Sequence, residues 1–355
     1  MQSISVTRTA TPHRMPEKGD KLPFGACFSD HMFIMEYDSP VGWHDPRIIP
    51  YGPLSLDPAA ICLHYGQEVF EGMKAYRADD GRVLLFRPEE NFARLNRSNE
   101  RICIPHIDEE FCLRALKQLV DIDRAWIPES PDSSLYIRPF IIATEPKLGV
   151  KQSASYYFII ITSPSGPYYE QGIKPVRIYV ESKYVRAVRG GTGTAKAGGN
   201  YASGLKAQME AHEQGYSQVL WLDGVERRYI EEVGAMNIFF VIGGEVVTPE
   251  LSGSILDGIT RKSVIELLRR DGYTVTEKRV SIDDLAKAYD DGLLSEVFGT
   301  GTAAVISPVG ELKWNDKVMH INNGEIGPVS RFMYDELTGI QWGRRHGPEG
   351  WVVEV

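Results

Sequence analysis

The sequence has few cysteines, and their spacing does not suggest metal binding. Among 355 residues there are four, Cys27, Cys62, Cys103 and Cys112, without any CxxC pair. Thiolate metal sites are typically built from such closely spaced pairs, so the pattern argues against one and predicts reduced, mostly buried thiols. We therefore expect no bound metal and a cytoplasmic location.

Long apolar runs and basic stretches are also missing. No segment reaches the roughly 18 apolar residues that a membrane-spanning helix needs. Because 39 basic and 48 acidic side chains give a net charge of −9, without a basic stretch, we expect no nucleic-acid partner. The opening segment, MQSISVTRTATPHRMPEKGD, lacks the apolar core of a secretory signal and is interpreted as a mobile arm.

The remaining chain predicts a globular fold of mixed strands and helices. Aromatic and β-branched stretches such as LYIRPFIIAT and YYFIIITSP predict buried strands. DEEFCLRALKQLVDIDRAW, NYASGLKAQMEAHEQGY and GITRKSVIELLRRDGY predict helices, and NIFFVIGGEVVTP predicts a hairpin around Gly-Gly. The mixed order favours an α/β (mixed α+β) fold over a doubly wound parallel sheet.

The chain is long enough for two domains. SPSGPYYEQGIKP is dense in glycine and proline and predicts an interdomain connector. The predicted division has four parts: a mobile N-terminal arm (1–22), a small N-terminal α/β domain (23–164), the connector (165–180) and a large C-terminal cofactor-binding domain (181–355).

One lysine, Lys196, lies inside the glycine-rich run GGTGTAKAGGNYASGL. A solvated surface loop is the simplest interpretation. A phosphate-binding Walker loop fails, because Ala197 stands where that loop requires Ser or Thr. A dinucleotide site could use GTGTAA, from Gly299 to Ala304, but the strand-like VISPVG follows it instead of a helix. The third alternative is a lysine that forms a Schiff base with pyridoxal phosphate.

Schiff-base chemistry also needs an acidic partner for the pyridine nitrogen and a phosphate site. Glu231 or Glu232 in YIEEVGAMNIFF could be the acid, and we expect one of the two to be solvated and the other to face inward. DGIT, at the start of a predicted helix, and Thr302 could contact phosphate. Each feature alone is more often structural.

Taken in order, several long motifs resemble those of the branched-chain amino acid aminotransferases, which are fold-type IV pyridoxal phosphate enzymes. They include LHYGQEVFEGMKAYR, LYIRPFIIATEPKLGV, KYVRAVRGGTGTAKAGGNYASGL and FGTGTAAVISPV, and the likeness runs from about Phe24 to the C-terminus. Bacterial actinomycete members look most similar. The resemblance implies a two-domain fold with the active site in the interdomain cleft.

The resemblance also implies roles for individual residues. Lys196 would be catalytic and would carry the cofactor, and Glu232 would pair with the pyridine nitrogen. The remaining cofactor contacts would come from Arg94, Tyr201, Ile259, Thr260 and Thr302. The substrate pocket would be formed by Phe24, Tyr65, Phe70, Tyr136, Arg138, Val150, Tyr168, Ala303 and Ala304. Arg186 either approaches the cofactor or forms a structural ion pair, and Asp257 departs from a common proline.

The implied activity is reversible transamination between leucine, isoleucine or valine and 2-oxoglutarate. The partners would be small amino acids and 2-oxo acids, in a homodimer in which residues around Val150 reach the neighbouring active site. A D-amino-acid transaminase or an aminodeoxychorismate lyase shares the fold and the lysine. A nicotinamide oxidoreductase using GTGTAA and a non-catalytic binding module are the alternatives from other classes.

Overall fold

The computed structural model describes residues 3–17, 20–130, 132–167 and 173–355. The chain forms two compact units. The first comprises Met1–Glu170, Ala195–Gly198 and Gly339–Val355, and the second comprises Gln171–Thr194 and Gly199–Thr338. The short segment around Lys196 thus belongs to the first unit although the chain on both sides of it belongs to the second.

The first unit is built on a sheet whose central strands are long and buried. Eight of its strands precede the second unit: β1 (Ser5–Val6), β2 (His31–Asp38), β3 (Gly42–Pro50), β4 (Glu68–Phe70), β5 (Met73–Arg77), β6 (Val83–Phe86), β7 (Ser134–Ala143) and β8 (Ser155–Ser165). β7 and β8 are the predicted apolar strands, and they pair antiparallel along the whole of β7.

The second unit is built on a nine-stranded mixed sheet. Its strands are β9 (Val176–Glu181), β10 (Gln218–Leu222), β11 (Ile230–Val233), β12 (Asn237–Ile242), β13 (Glu245–Thr248), β14 (Val275–Glu277), β15 (Leu294–Gly301), β16 (Val305–Trp314) and β17 (Lys317–His320). The predicted hairpin joins β12 to β13, and Gly243 and Gly244 adopt φ of 58° and 86°, which glycine tolerates without strain.

The last strand of the chain, β18 (Val352–Glu354), returns to the first unit and pairs with β6. It completes a nine-stranded sheet of order β1-β3-β2-β8-β7-β5-β6-β18, with β4 paired to β7. The C-terminal domain predicted from the sequence, 181–355, includes this segment. No local pattern could indicate the pairing, because its partner strand lies far away in the sequence.

Eight α-helices occur in the described residues. They are α1 (Ile61–Tyr65), α2 (Pro88–Arg101), α3 (Glu109–Ile122), α4 (Gly198–Ala202), α5 (Leu205–Glu213), α6 (Ile259–Arg270), α7 (Ile282–Asp290) and α8 (Pro328–Gln341). The predicted apolar stripe of α3 is buried in the core of the first unit. The mixed α/β fold predicted from the sequence is confirmed.

One local expectation was wrong. NYASGLKAQMEAHEQGY is not one helix: it is interrupted at Ser203 and Gly204 between α4 and α5, where a Cβ on Gly204 would lie 3.2 Å from the Trp221 ring.

The N-terminal segment, interpreted from the sequence as a mobile arm, makes backbone contacts in the described residues. β1 pairs with β3, and the Thr9 N–H donates to Nε2 of His31 at 3.0 Å. The mobility of the arm stays a prediction.

The four cysteines are unpaired thiols. Cys112 is buried, whereas Cys103 is exposed, so the expected burial holds only in part. In the described parts of the chain, no helix combines the length and apolarity needed to cross a membrane.

Candidate active site

The backbone of Lys196 is held on both sides within the first unit. Its N–H donates to Oγ of Ser98 at 2.9 Å, and its carbonyl accepts from the N–H of Phe70 at 2.9 Å. Ala197 continues this contact with a β-bridge to Val69. The side chain extends over the ring of Phe70, with Nζ 4.8 Å from the centroid. These contacts fix the backbone of Lys196 beside β4.

Glycine is required where this run passes close to other groups. A Cβ on Gly198 would collide with the carboxylate of Glu68, and a Cβ on Gly193 would collide with the carbonyl of Ser254. Both approaches occur within a single unit. The glycines at these two positions thus allow close backbone approach on both sides of Lys196.

A buried carboxylate that sequence reasoning missed, Glu71, lies close to this lysine. Arg94 donates to both its oxygens, from Nε at 2.8 Å and from Nη2 at 2.9 Å, and Asn91 Nδ2 donates at 2.7 Å. Burial alone would raise the pKa of Glu71, but the charges of Arg94 and Lys196 outweigh it and hold the pKa below its usual range. In the sequence, the motif EVFEG shows only an acidic residue followed by a glycine, which does not indicate that Glu71 is buried.

Four of the predicted substrate residues cluster on one face of the first sheet. Tyr136 and Arg138 alternate along β7 as expected, and Arg138 Nη2 donates to the Tyr136 hydroxyl at 3.0 Å. The Arg138 guanidinium also lies 4.6 Å above the Phe70 ring, and Phe24 packs edge-on against Tyr136. Among the described residues no carboxylate pairs with Arg138, and its buried Nε has no hydrogen-bond partner.

A second lysine, Lys74, lies on β5 directly opposite Tyr136. It is half-buried, and burial lowers its pKa to about 8. Its position beside the predicted substrate residues makes it the lysine against which Lys196 must be tested.

The other predicted substrate residues are more exposed or lie elsewhere. Tyr65, at the end of α1, donates its hydroxyl to the carbonyl of Leu148. Val150 is 83% exposed. Ala303 and Ala304 form the turn between β15 and β16 in the second unit, beside Thr302. Tyr168 lies outside the described residues.

The second unit contains a cavity of about 290 Å³ that brings together two of the predicted cofactor residues. These two residues, Tyr201 and Glu232, line it. Arg186, whose role the sequence left open, lines it as well. The remaining lining residues are Asn200, Gly204, Leu205, Gln208, Gln218, Trp221, Gly234, Ala235 and Leu256.

Glu232 reaches this cavity with its carboxylate held at both oxygens. Oε1 accepts the Leu256 N–H at 2.7 Å, and Oε2 lies 2.9 Å from Nε of Arg186. Arg186 also donates from Nη2 to the carbonyls of Ser254 at 2.6 Å and Gly193 at 3.3 Å. Arg186 therefore forms the ion pair that the sequence considered, and it makes that pair with the predicted pyridine partner.

The expectation that one of the two glutamates would be solvated is wrong. Glu231 is 5% exposed and Glu232 is 3% exposed. Successive side chains of β11 point to opposite faces, and in this sheet both faces are covered. Ser254 donates its hydroxyl to Glu231, which is how the second acid is accommodated inside the unit.

The N-terminus of α6 presents backbone amides without an acidic residue in its first turn. Its N-cap is Gly258, and the buried Ile259 and Thr260 follow. Asp257 forms an ion pair with Lys262, Oδ2 to Nζ at 3.0 Å. A helix N-terminus with backbone amides and a hydroxyl favours a phosphate group.

Comparison with known proteins gives consistent matches over most or all of the chain. The family described as amino-transferase class IV matches residues 68–312. The chain is 61% identical to branched-chain-amino-acid aminotransferase 2 of Bacillus subtilis, over 100% of this chain and 97% of that protein. It is 49% identical to the branched-chain-amino-acid aminotransferase of Mycolicibacterium smegmatis, over 94% and 92%. The expected likeness to actinomycete members is thus lower than that to the Bacillus protein.

Solved structures agree with the sequence comparison. The branched-chain amino acid aminotransferase of Escherichia coli has a TM-score of 0.77 at 28% identity and covers 91% of this chain and 98% of its own. The T.th. branched-chain amino acid aminotransferase, solved with N-(5'-phosphopyridoxyl)-L-glutamate, has a TM-score of 0.74 at 29% identity and covers 90% and 97%.

Proposed function

The chain belongs to the class IV aminotransferases, and we propose that it transfers the amino group of leucine, isoleucine or valine reversibly to 2-oxoglutarate. The products are the branched 2-oxo acids and L-glutamate, and the cofactor is pyridoxal 5'-phosphate carried by Lys196. The observation that carries the proposal is the cavity in which Glu232 is held by Arg186 and Leu256 beside Tyr201. The names of the relatives support the substrate class.

The donors and acceptors of this cavity fit the ring of the cofactor. A buried carboxylate, Glu232, suits a protonated pyridine nitrogen, because a nearby negative charge favours the protonated form. The phenol of Tyr201 suits the ring oxygen. Trp221 and Leu256 add apolar walls. We assign Glu232 and Tyr201 to the two polar edges of the ring.

The phosphate would be bound by amides, hydroxyls and one arginine. Ile259 and Thr260 supply the first turn of α6, and Thr302 supplies a hydroxyl from the β15–β16 turn. Arg94 would add a planar fork of donors, which suits phosphate. Its existing partner, Glu71, would hold the guanidinium in place for this contact.

When bound, pyridoxal 5'-phosphate supplies an electron-accepting ring for the electron pair left when the substrate Cα–H bond breaks. Lys196 has the two tasks of holding the cofactor through Nζ and of moving the proton that leaves Cα. Its backbone is fixed by Ser98 and Phe70, so only the side chain needs to move. The Phe70 ring provides an apolar surface along which the amine lies.

One pocket must accept both a branched side chain and a second carboxylate. Phe24, Phe70 and Tyr136 would provide the apolar surface. Tyr65, Val150 and Tyr168 stay predicted members of the pocket. Arg138 is the cation for the side-chain carboxylate of glutamate, and its lack of a carboxylate partner among the described residues supports this role. Ala303 and Ala304 would offer turn amides to the α-carboxylate.

We also propose a homodimer in the cytoplasm. Leu148 and Val150 are apolar and 64% and 83% exposed, which supports a role of their segment in contacting a second subunit. The domain boundaries predicted from the sequence, at 22/23, 164/165 and 180/181, stay a prediction.

An amino-acid panel against 2-oxoglutarate tests the proposal. We expect an imine absorption band that borohydride removes, and glutamate formation from L-leucine, L-isoleucine and L-valine. Turnover of D-alanine without branched L-amino acids would indicate a D-amino-acid transaminase instead, and pyruvate release from aminodeoxychorismate would indicate the lyase. A protein without the band would refute the cofactor, and nicotinamide reduction would favour an oxidoreductase.

A further inference from the structure

Glu231 is buried next to Glu232 but faces away from the cavity that Glu232 lines. Its Oε1 accepts the hydroxyl of Ser254. Its Oε2 is buried and has no hydrogen-bond partner among the described residues. It borders a second cavity of the same unit, of about 180 Å³, together with Arg189, Asp223, Glu226, Tyr229, Glu250, Ser252, Ser254 and Arg279.

The segment from Ser252 to Leu256, here called the anchor loop, is bound by both glutamates. Glu231 holds the side chain of Ser254, and Glu232 accepts the N–H of Leu256 two residues later. Between them, Arg186 donates to the Ser254 carbonyl and pairs with Glu232. The anchor loop leads directly into Gly258 and the first turn of α6. It therefore connects the residues assigned to the pyridine nitrogen with those assigned to the phosphate.

The surroundings of Glu231 favour a neutral carboxylic acid. An ionised oxygen that is buried without a donor is costly, whereas a protonated acid carries no net charge to desolvate. Burial raises the pKa of Glu231 above its ordinary value, Ser254 and Arg186 oppose the shift, and the charges of Glu232 and Asp223 add to it. The other charged groups that face its cavity are Arg189, Glu226, Glu250 and Arg279.

We propose that Glu231 is a positioning residue that holds a proton and fixes the anchor loop through Ser254, so that Glu232 alone carries the negative charge at the cofactor ring. The proposal rests on the proposed function in that the ring belongs to pyridoxal 5'-phosphate. The side chain of Glu231 acts only through Ser254 and the loop, and it needs no contact with substrate or cofactor.

The protonation state is tested by the pH dependence of unfolding. A carboxyl whose pKa is higher in the folded than in the unfolded protein lowers the free energy of unfolding as the pH rises from the unfolded pKa, near 4.5, through the folded pKa. The Glu231→Gln variant has no proton to lose, so its free energy of unfolding relative to wild type increases as the pH rises from the ordinary carboxyl value of 4.5 through the raised folded pKa. Glu213→Gln, at an exposed position of α5, is the control and stays parallel to wild type. A difference that decreases with pH would overturn the proposal.

The positioning role is tested on the holoenzyme with variants on both sides of one hydrogen bond. Glu231→Leu and Ser254→Ala each remove it, and we expect kcat and cofactor affinity to fall about tenfold. Glu231→Gln keeps an acceptor for the Ser254 hydroxyl and stays within about twofold of wild type. Equal loss in Glu231→Gln and Glu231→Leu would show that the ionised acid is needed.

These outcomes separate the two proposals. If wild type transaminates branched-chain amino acids but Ser254→Ala binds cofactor and turns over like wild type, only the positioning role fails. If wild type shows neither an imine band nor turnover, the proposed function fails. The unfolding experiment still reports the proton on Glu231 in that case, because it requires no catalysis.

Discussion

Arg94 and Glu71 form a bidentate ion pair inside the first unit, with Nε–Oε1 and Nη2–Oε2 distances of 2.8 and 2.9 Å. Both side chains are at least nine-tenths buried. The residue assigned to the cofactor phosphate is thus oriented by a carboxylate before any ligand contact is considered. Such a pair leaves a costly charge when one member is removed.

Glu71→Gln is therefore expected to destabilise the first unit. Loss of the charge leaves Arg94 buried without its anion, which costs about 3 kcal/mol. Because the folded pKa of Glu71 is lowered, its contribution is present above the ordinary value of 4.5 and is lost as the pH falls through the folded value. Urea unfolding should show a large difference from wild type at neutral pH that shrinks below pH 4.5.

The matched control for this prediction is Glu100→Gln, at an exposed position of α2, the helix that carries Arg94. Its unfolding should follow that of wild type at every pH. An equal effect in the two variants, or an effect of Glu71→Gln that does not depend on pH, would contradict the assignment of a structural ion pair.

Glu232→Gln should slow the chemical step more than it weakens cofactor binding. The phosphate contacts remain, whereas the negative charge that favours a protonated pyridine is lost. We expect the single-turnover rate with leucine to fall about a hundredfold. Equilibrium dialysis of the cofactor should change much less. Rates close to wild type in Glu232→Gln would exclude this residue as the pyridine partner.

Arg138→Met should discriminate between the two amino-acid substrates. A hydrogen bond to a charged group is worth about 1.5–3 kcal/mol, so kcat/KM for glutamate should fall about ten- to a hundredfold or somewhat more. The half-reaction with leucine should change far less. Tyr136→Phe, which removes the acceptor of Arg138, should act in the same direction but more weakly. Stopped-flow half-reactions measure both substrates, and equal losses would mean that Arg138 only supports the pocket.

Lys74→Met tests whether burial opposes the protonation of the Lys74 amine. A lysine whose pKa is lowered from 10.5 to about 8 destabilises the fold at neutral pH, and the penalty disappears as the pH rises from about 8 to 10.5. The variant should therefore gain stability relative to wild type at neutral pH and lose that advantage by pH 10.5. A difference that is constant with pH would indicate an ordinary, solvated amine.

Local patterns were sufficient to predict much of the fold. The strand β7 and the apolar stripe of α3 follow from residue type and periodicity, and the hairpin follows from Gly243 and Gly244. These features depend on neighbours in the sequence. Between α4 and α5, the Trp221 ring approaches Gly204 from a different element, and periodicity alone could not reveal this contact.

The candidate site shows the same division. Lys196 stood out because a single lysine in a glycine run is unusual. Glu71 did not, because its role depends on the ion pair with Arg94, 23 positions away, and on the burial of both side chains. The burial of Glu231 was not predicted either, because the residue that donates a hydrogen bond to it, Ser254, is also 23 positions away.

Peptide mapping after borohydride reduction identifies the lysine that carries the cofactor. Reduction converts a lysine-bound cofactor into a stable phosphopyridoxyl group that mass spectrometry can locate. We expect this group on Lys196 in wild type. Lys196→Ala should abolish transamination with an unchanged fold, and Lys74→Ala should retain the label on Lys196. A phosphopyridoxyl group on Lys74, or no labelled lysine at all, would contradict this assignment.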